Sequence, residues 1–289
     1  MNIGRACDDY PYDAETIVMN TLPRQEQQSG HNSFVNVFEG VVIKSTQRAH
    51  SYEYACATAE RIGAYYRDMK DEPVAVASVE VGVIKSQGGF YAAQAVERIH
   101  GQNLVQLEGE QLRSAIGELI WSICHMRAFE GGPGRPFDSN ILRSGIDAQA
   151  KNFIVDASRT PMHPSAVVRD HNGVALQRTG TPVLIDHLPA LKRHMDGLLR
   201  LGKKGDDAPF WEVICGTRSG AIATLLYTGL YLKRGARNML PEDEAAFYRE
   251  WQDLVPPELH TQVWADLRLY AQWYARLVCL AAVNHMTQR

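Results

Sequence analysis

The chain has 289 residues, 45% of them apolar, enough to bury a sizeable core as one large domain or two lobes, which excludes a mainly disordered protein. A net charge of -3 and a pI near 6.4 supply no broad basic field, so nucleic acid is not an expected partner. Five scattered cysteines (Cys7, Cys56, Cys124, Cys215, Cys279), none in a C-x-x-C pair, read as reduced thiols rather than a disulfide framework or zinc site. With no apolar leader after Met1 and no apolar run longer than 277–283, the expectation is a soluble, cytoplasmic protein without a membrane span.

Residues 1–14 are polar and proline-containing, a loose lead-in. Strand patterning begins at Thr16-Ile17-Val18-Met19 and returns at 34–38 and in the β-branched run Val41-Val42-Ile43-Lys44, with Glu39-Gly40 as the turn. The expectation is three antiparallel strands, with a polar Gln-rich loop over 23–32 between the first two. Ser29, Gly30 and Ser33 in that loop are candidates to offer backbone N–H groups to phosphate, although G-x-G-x-x-G is absent and an ordinary hairpin connection is the other reading. Residues 52–66 carry Ala, Cys and Ile at helical spacing, with Glu53 early, Glu60 two turns on, and Gly63 as the expected stop. A strand pair over 73–85, a turn at Gly88-Gly89 and a further strand over 90–99 follow, the last carrying Glu97, Arg98 and Ile99 into His100-Gly101-Gln102-Asn103.

An amphipathic helix is expected over 106–129, from Leu107, Leu112, Ile116, Leu119, Ile120, Ile123 and Met126, ending at the glycines of 131–134. Asp138 sits in an acidic loop after it. A polar stretch over 157–181 reads as an inserted hairpin around Asp170-His171-Asn172-Gly173, and Val183-Leu184-Ile185 as a short strand delivering Asp186. His163, His171, His187 and His194 lack ligand spacing on a helix face. The remainder reads as helices over 211–215, 221–233, 242–254 and 259–286, the last with an aromatic stripe expected in the core.

The chemistry gathers in Ile146-Asp147-Ala148-Gln149-Ala150-Lys151-Asn152, with the apolar Phe153-Ile154-Val155 behind it. An Asp and an Asn five positions apart on one rigid loop have the layout of a protein-kinase catalytic loop, in which the carboxylate accepts a hydroxyl proton while the carboxamide holds Mg²⁺ on the phosphates. Asp138 is the runner-up base. Val42-Ile43-Lys44 resembles the kinase strand whose Lys grips the α- and β-phosphates.

Asp147-Ala148-Gln149-Ala150-Lys151-Asn152-Phe153 is similar to the catalytic loop of HipA-like serine/threonine kinases, and Leu184-Ile185-Asp186-His187-Leu188-Pro189 resembles that family's metal-binding turn. Gln149 stands where the family often has His. The resemblance implies an α+β, two-lobed protein-kinase-like fold, with a β-rich nucleotide-binding lobe over 1–102 and a helical catalytic lobe over 103–289. It implies ATP and Mg²⁺ as cofactors, Lys44 paired with Glu53 (Glu60 being the alternative), Asn152 and Asp186 as metal ligands, Asp147 as base, and Glu97 to Ile99 beside the adenine. The implied acceptor is a Ser/Thr hydroxyl of a protein, in a toxin or an effector injected into a host cytoplasm. A lipid or small-molecule kinase and a degenerate kinase-like binding protein are the rival readings.

Overall fold

A computed structural model describes residues 27–29, 33–37, 40–46, 51–86, 89–131, 137–159, 180–185, 208–231 and 241–287. The architecture is mixed α/β, with small antiparallel sheets and several helices. The described residues divide into two compact units, the sequence changing unit between His100 and Gly101, with Glu72–Val74 belonging to the second.

The first unit contains β1 (Gln27–Ser29), β2 (Ser33–Val37), β3 (Val41–Thr46), α1 (Tyr52–Lys70), β4 (Ala75–Val76), β5 (Val79–Ser86) and β6 (Gly89–Glu97). Its five-stranded sheet runs β1-β2-β3-β6-β5, antiparallel throughout. The β-branched run of β3 occupies the middle, and Ile43 packs with Ile84 and Ala93 in a buried cluster. β1 lies inside the stretch read as loop: Gln and Ser have little strand preference of their own, but Ser29 opposite Phe34 extends the ladder, and pairing overrides propensity. The strand expected over 16–19 lies outside the described residues.

Helix α1 starts where Ser51 Oγ accepts from Tyr54 N–H at 3.3 Å, a cap of about 1 kcal/mol. It runs through Gly63 to Lys70 instead of stopping. An internal glycine costs about 1 kcal/mol, and the buried stripe Ala55, Ala59, Ile62, Tyr66, Met69 continues past it against β5 and β6.

The second unit contains β7 (Gln102–Asn103), α2 (Gly109–His125), β8 (Ala128–Phe129), β9 (Asp138–Leu142), β10 (Phe153–Asp156), β11 (Thr181–Leu184), α3 (Ala208–Gly216), α4 (Arg218–Leu226), α5 (Pro241–Trp251) and α6 (His260–Thr287). Every residue of α2 from Ser114 to Ile120 is buried, the signature of an interior helix. Its C-terminal carbonyls are met from outside: the Arg218 guanidinium donates to Ile123 O at 3.3 Å and Met126 O at 2.6 Å. A cation at that end of a helix also offsets the macrodipole. Among the described residues no helix is long and apolar enough to cross a membrane.

Past α2, the chain is held by Glu72, 2% exposed, whose two oxygens accept from Arg127 N–H at 2.8 Å and Arg127 Nε at 2.9 Å. Glu72→Ala would leave a backbone donor and a guanidinium without that acceptor, and is expected to lower the unfolding free energy by about 2 kcal/mol. Urea denaturation measures this; an unchanged midpoint would contradict it.

Candidate functional site

The segment leading to Asp147 is clamped along its length. Asn140 in β9 exchanges two hydrogen bonds with Ser219 at the start of α4, its Oδ1 accepting from Ser219 N–H at 3.0 Å and its Nδ2 donating to Ser219 Oγ at 2.9 Å. Ile146 N–H then donates to Cys215 O at 2.8 Å. Ile146, Ala148 and Ala150 are wholly buried, so alternate residues anchor the loop in apolar surroundings.

Asp147 and Asn152 meet at the centre. Asp147 is 2% exposed and Asn152 3%. Asn152 Nδ2 donates to Asp147 Oδ2 at 2.8 Å and to Asp147 O at 3.2 Å. An ionised carboxylate can only accept, so this contact fixes which way the carboxamide faces. Nitrogen points at Asp147; Oδ1, a hard oxygen of the kind Mg²⁺ takes, has no hydrogen-bond partner among the described residues. A single 3₁₀ turn, Ala150–Asn152, sets the five-residue spacing, and Ala150 N–H is held by Thr228 Oγ1 at 2.8 Å.

Behind the turn, β10 pairs with β7 on one side and β11 on the other, Phe153 opposite Leu184. Beyond β11, Ile185 N–H donates to Asn152 O at 2.9 Å. Asp186 is the next residue in the sequence and lies outside the described residues, as do His163, His171, His187, His194 and the inserted stretch over 160–179. Among the described residues no group of three or more His, Cys, Asp or Glu side chains is placed to hold a metal.

The neighbouring carboxylates have other work. Asp138 is exposed and its Oδ1 accepts from Asn140 N–H at 2.8 Å, a local turn contact. Burial opposes ionisation of Asp156, but the Ser158 hydroxyl and N–H and the Arg159 guanidinium outweigh it and hold the carboxyl below its ordinary range. Asp266 on α6 is 4% exposed, with Oδ1 accepting from Gln262 Nε2 at 3.0 Å and Oδ2 buried without a hydrogen-bond partner among the described residues.

Burial raises the Asp266 carboxyl above its ordinary 3.8, more than the neighbouring Ser219 and Gln262 side chains lower it. The folded state therefore holds this proton more tightly than the unfolded state. Its stabilising contribution is complete below about pH 4 and is lost as pH rises through the folded-state value. Asp266→Asn removes that dependence, so its melting temperature should gain on the wild type as pH increases from 4 to 7. A constant gap between the two across that range would contradict the assignment.

In the first unit, Lys44 is 7% exposed in the middle strand, with Gln94 and Val35 as its register partners. Gln94 Oε1 accepts from Tyr66 hydroxyl at 2.9 Å, so the surroundings of Lys44 are partly polar. Glu53 is exposed in the first turn of α1. Hydrogen bonds from its own N–H and from Ser51 lower its carboxyl, and among the described residues it makes no ion pair with Lys44. Its visible role is at the start of the helix; Glu60 is exposed further along the same helix.

Ser29 and Ser33 close the β1–β2 hairpin, and Gly30 lies outside the described residues. Glu97 N–H and Arg98 N–H are taken by Ser78 O at 2.8 Å and Gly40 O at 3.2 Å, and Glu97 Oε2 accepts from Ser78 N–H at 3.1 Å. Ile99, 7% exposed, follows directly. Among the described residues none accepts from its N–H or from that of His100.

Thr228, Arg218 and Asn140 hold the loop and were not expected from sequence. Each works through a contact far along the chain, and no local pattern marks it. The π-helical turn Tyr227–Tyr231 that presents Thr228 lies within a stretch read as plain helix.

The chain matches no protein-family model and no curated protein. Among solved structures it is similar to an apo pseudokinase, with 12% identity, a TM-score of 0.33, and 93% of this chain and 94% of that one covered. It is also similar to an aminoglycoside phosphotransferase from Alicyclobacillus acidocaldarius, with 10% identity, a TM-score of 0.26, and 89% of this chain and 95% of that one covered. At such scores the functional reading rests on the geometry of Asp147 and Asn152.

Proposed function

We propose that the protein is an ATP- and Mg²⁺-dependent phosphotransferase of protein-kinase-like architecture, acting on the hydroxyl of a protein Ser or Thr. The observation that carries this reading is the buried Asp147–Asn152 contact at 2.8 Å, which points a carboxylate and a carboxamide oxygen from one short loop. Mg²⁺, when bound, neutralises charge on the β- and γ-phosphates, and Asn152 Oδ1 with Asp186 would hold it. The hydrogen bond from Ile185 to Asn152 supports that pairing, because the residue carrying the second carboxylate directly follows one tied to the first ligand.

Lys44 would bind the α- and β-phosphates, which is chemistry a lysine buried in a sheet is suited to, since an ammonium out of water requires anionic or polar company. Ile99 N–H would donate to adenine. Asp147 would orient the acceptor hydroxyl and take its proton. Most of the rate would come from positioning and charge neutralisation, as phosphoryl transfer needs little covalent help. The toxin or effector role and the cytoplasmic setting are extensions of the HipA-like resemblance.

Thermal shift with Mg-ATP, followed by transfer of labelled γ-phosphate, tests the proposal. The wild type should be stabilised and should transfer label, and Asp186→Ala should abolish transfer while remaining folded. Stabilisation without transfer by the wild type would favour a degenerate, nucleotide-binding scaffold; absence of both would sink the reading.

A further inference from the structure

The turn that carries Asn152 has no cap of its own. Gln149, at the head of the 3₁₀ turn Ala150–Asn152, makes no side-chain hydrogen bond to it, and the first N–H of a helical turn has no partner within the turn. Ala150 is wholly buried, so its N–H left unsatisfied would be costly. Thr228 supplies the acceptor from 78 residues along the chain, its Oγ1 taking the Ala150 N–H at 2.8 Å.

The sense of that bond is fixed. A threonine hydroxyl has one proton, and Thr228 donates it to Thr224 O at 2.7 Å, so toward Ala150 it can only accept. Thr228 is the second residue of the π-helical turn Tyr227–Tyr231, and such turns inside α-helical stretches are frequent at functional sites. The turn is pressed against the loop: a Cβ added at Gly229 would stand 3.5 Å from Ala150 Cβ and 3.2 Å from Ile116 Cδ1. Two other contacts hold the Ala150–Asn152 turn, Asn103 Nδ2 donating to Lys151 O at 2.8 Å and Ile185 N–H donating to Asn152 O at 2.9 Å. Both grip carbonyls, whereas Thr228 grips the leading N–H. Just upstream, Asp147 Oδ1 accepts from Gln149 N–H at 3.4 Å, long for a hydrogen bond and a weak substitute.

Resting on the phosphotransferase reading above, we propose that Thr228 is a positioning residue for the metal: by capping the turn it holds the Asn152 carboxamide in the direction in which Oδ1 meets Mg²⁺. Thr228 itself touches neither the metal nor the nucleotide in this role. Outer partners of this kind orient a ligand, and their loss weakens metal binding on the order of 10- to 100-fold.

Thr228→Val keeps the shape of the side chain and removes the acceptor, while Thr228→Ser keeps the acceptor and removes a methyl. In the full chain with a saturating non-hydrolysable ATP analogue, thermal shift against Mg²⁺ concentration reads metal affinity without turnover. Thr228→Val is expected to raise the half-saturating Mg²⁺ concentration by about tenfold, with Thr228→Ser within about twofold of wild type. In the nucleotide-free protein, the Ala150 amide hydrogen should exchange faster in Thr228→Val than in wild type. Thr228→Ala is measured in the same way should the valine variant not fold. An unchanged Mg²⁺ dependence in the variant without the hydroxyl overturns the assignment, even where urea shows lower stability, since Thr228 would then be a prop for the fold. So does a shift of equal size in Thr228→Ser, which would assign the effect to shape. Either result beside a wild type that responds to nucleotide and Mg²⁺ overturns this inference alone, whereas a wild type with no such response overturns the phosphotransferase reading with it.

Discussion

Asp147→Asn is expected to reduce phosphoryl transfer by about a thousandfold, the loss typical of a removed general base, without unfolding the chain. The substituted side chain has the same shape, so the buried loop keeps its packing. The electrostatics change twice. The proton acceptor is gone, and Asn152 Nδ2, which donates to Asp147 Oδ2 at 2.8 Å, can now face an amide nitrogen that cannot accept. To avoid that, one of the two carboxamides must turn over. If Asn152 turns, the oxygen that would meet Mg²⁺ points at position 147 instead.

Asp147→Ala removes the base but leaves Asn152 Nδ2 its bond to the main-chain carbonyl at 3.2 Å. The pair of variants therefore separates two functions of one residue. Both should lose transfer, measured with labelled ATP, but Asp147→Asn should bind Mg-ATP more weakly than Asp147→Ala by calorimetry. Transfer within tenfold of wild type in either variant would remove Asp147 from the chemistry.

The second large effect is expected at Gly101, where the cause is space. A Cβ built there would collide with the Val155 carbonyl, and would stand 3.0 Å from Ile154 Cγ2. Val155 is held on both sides, opposite Gln102 in β7 and Pro182 in β11, so β10 cannot retreat without breaking a ladder. Gly101→Ala should cost about 3 kcal/mol. Because β10 begins at Phe153, directly after Asn152, the same shift would displace the carboxamide and weaken Mg-ATP binding. Urea denaturation and calorimetry on one preparation check both halves; a variant with wild-type stability would contradict the close approach.

Local patterns marked the elements well where chemistry and periodicity coincide. The β-branched run ending at Lys44 became the middle strand of its sheet, and Phe153-Ile154-Val155 became β10 behind the Asp–Asn loop. Patterns misled where tertiary contacts outweigh propensity. Gly63 is a helix stop by composition, yet α1 runs on because Tyr65, Tyr66 and Met69 extend its buried face. Gln27–Ser29 is loop-like by composition and a strand by pairing.

At the site, the five-residue spacing of Asp147 and Asn152 is a weak signal by itself and gains weight from the apolar run behind it, from Lys44 and from the resemblance of the loop. Resemblance pairs Glu53 with Lys44; in the structure the exposed Glu53 carboxylate accepts hydrogen bonds at the start of its own helix. Thr228, Arg218 and Asn140 carry no local signal because each makes its contact far along the chain, and no i to i+4 pattern encodes a contact of that kind.

The most direct test of the convergence on which this account depends is a structure with Mg²⁺ and a non-hydrolysable ATP analogue. The prediction is Asn152 Oδ1 about 2.1 Å from the metal, Asp186 sharing it, and the Lys44 ammonium on the α- and β-phosphates. A triphosphate bound elsewhere, or one bound between Asn152 and Asp186 with Lys44 remote from it, would contradict the account.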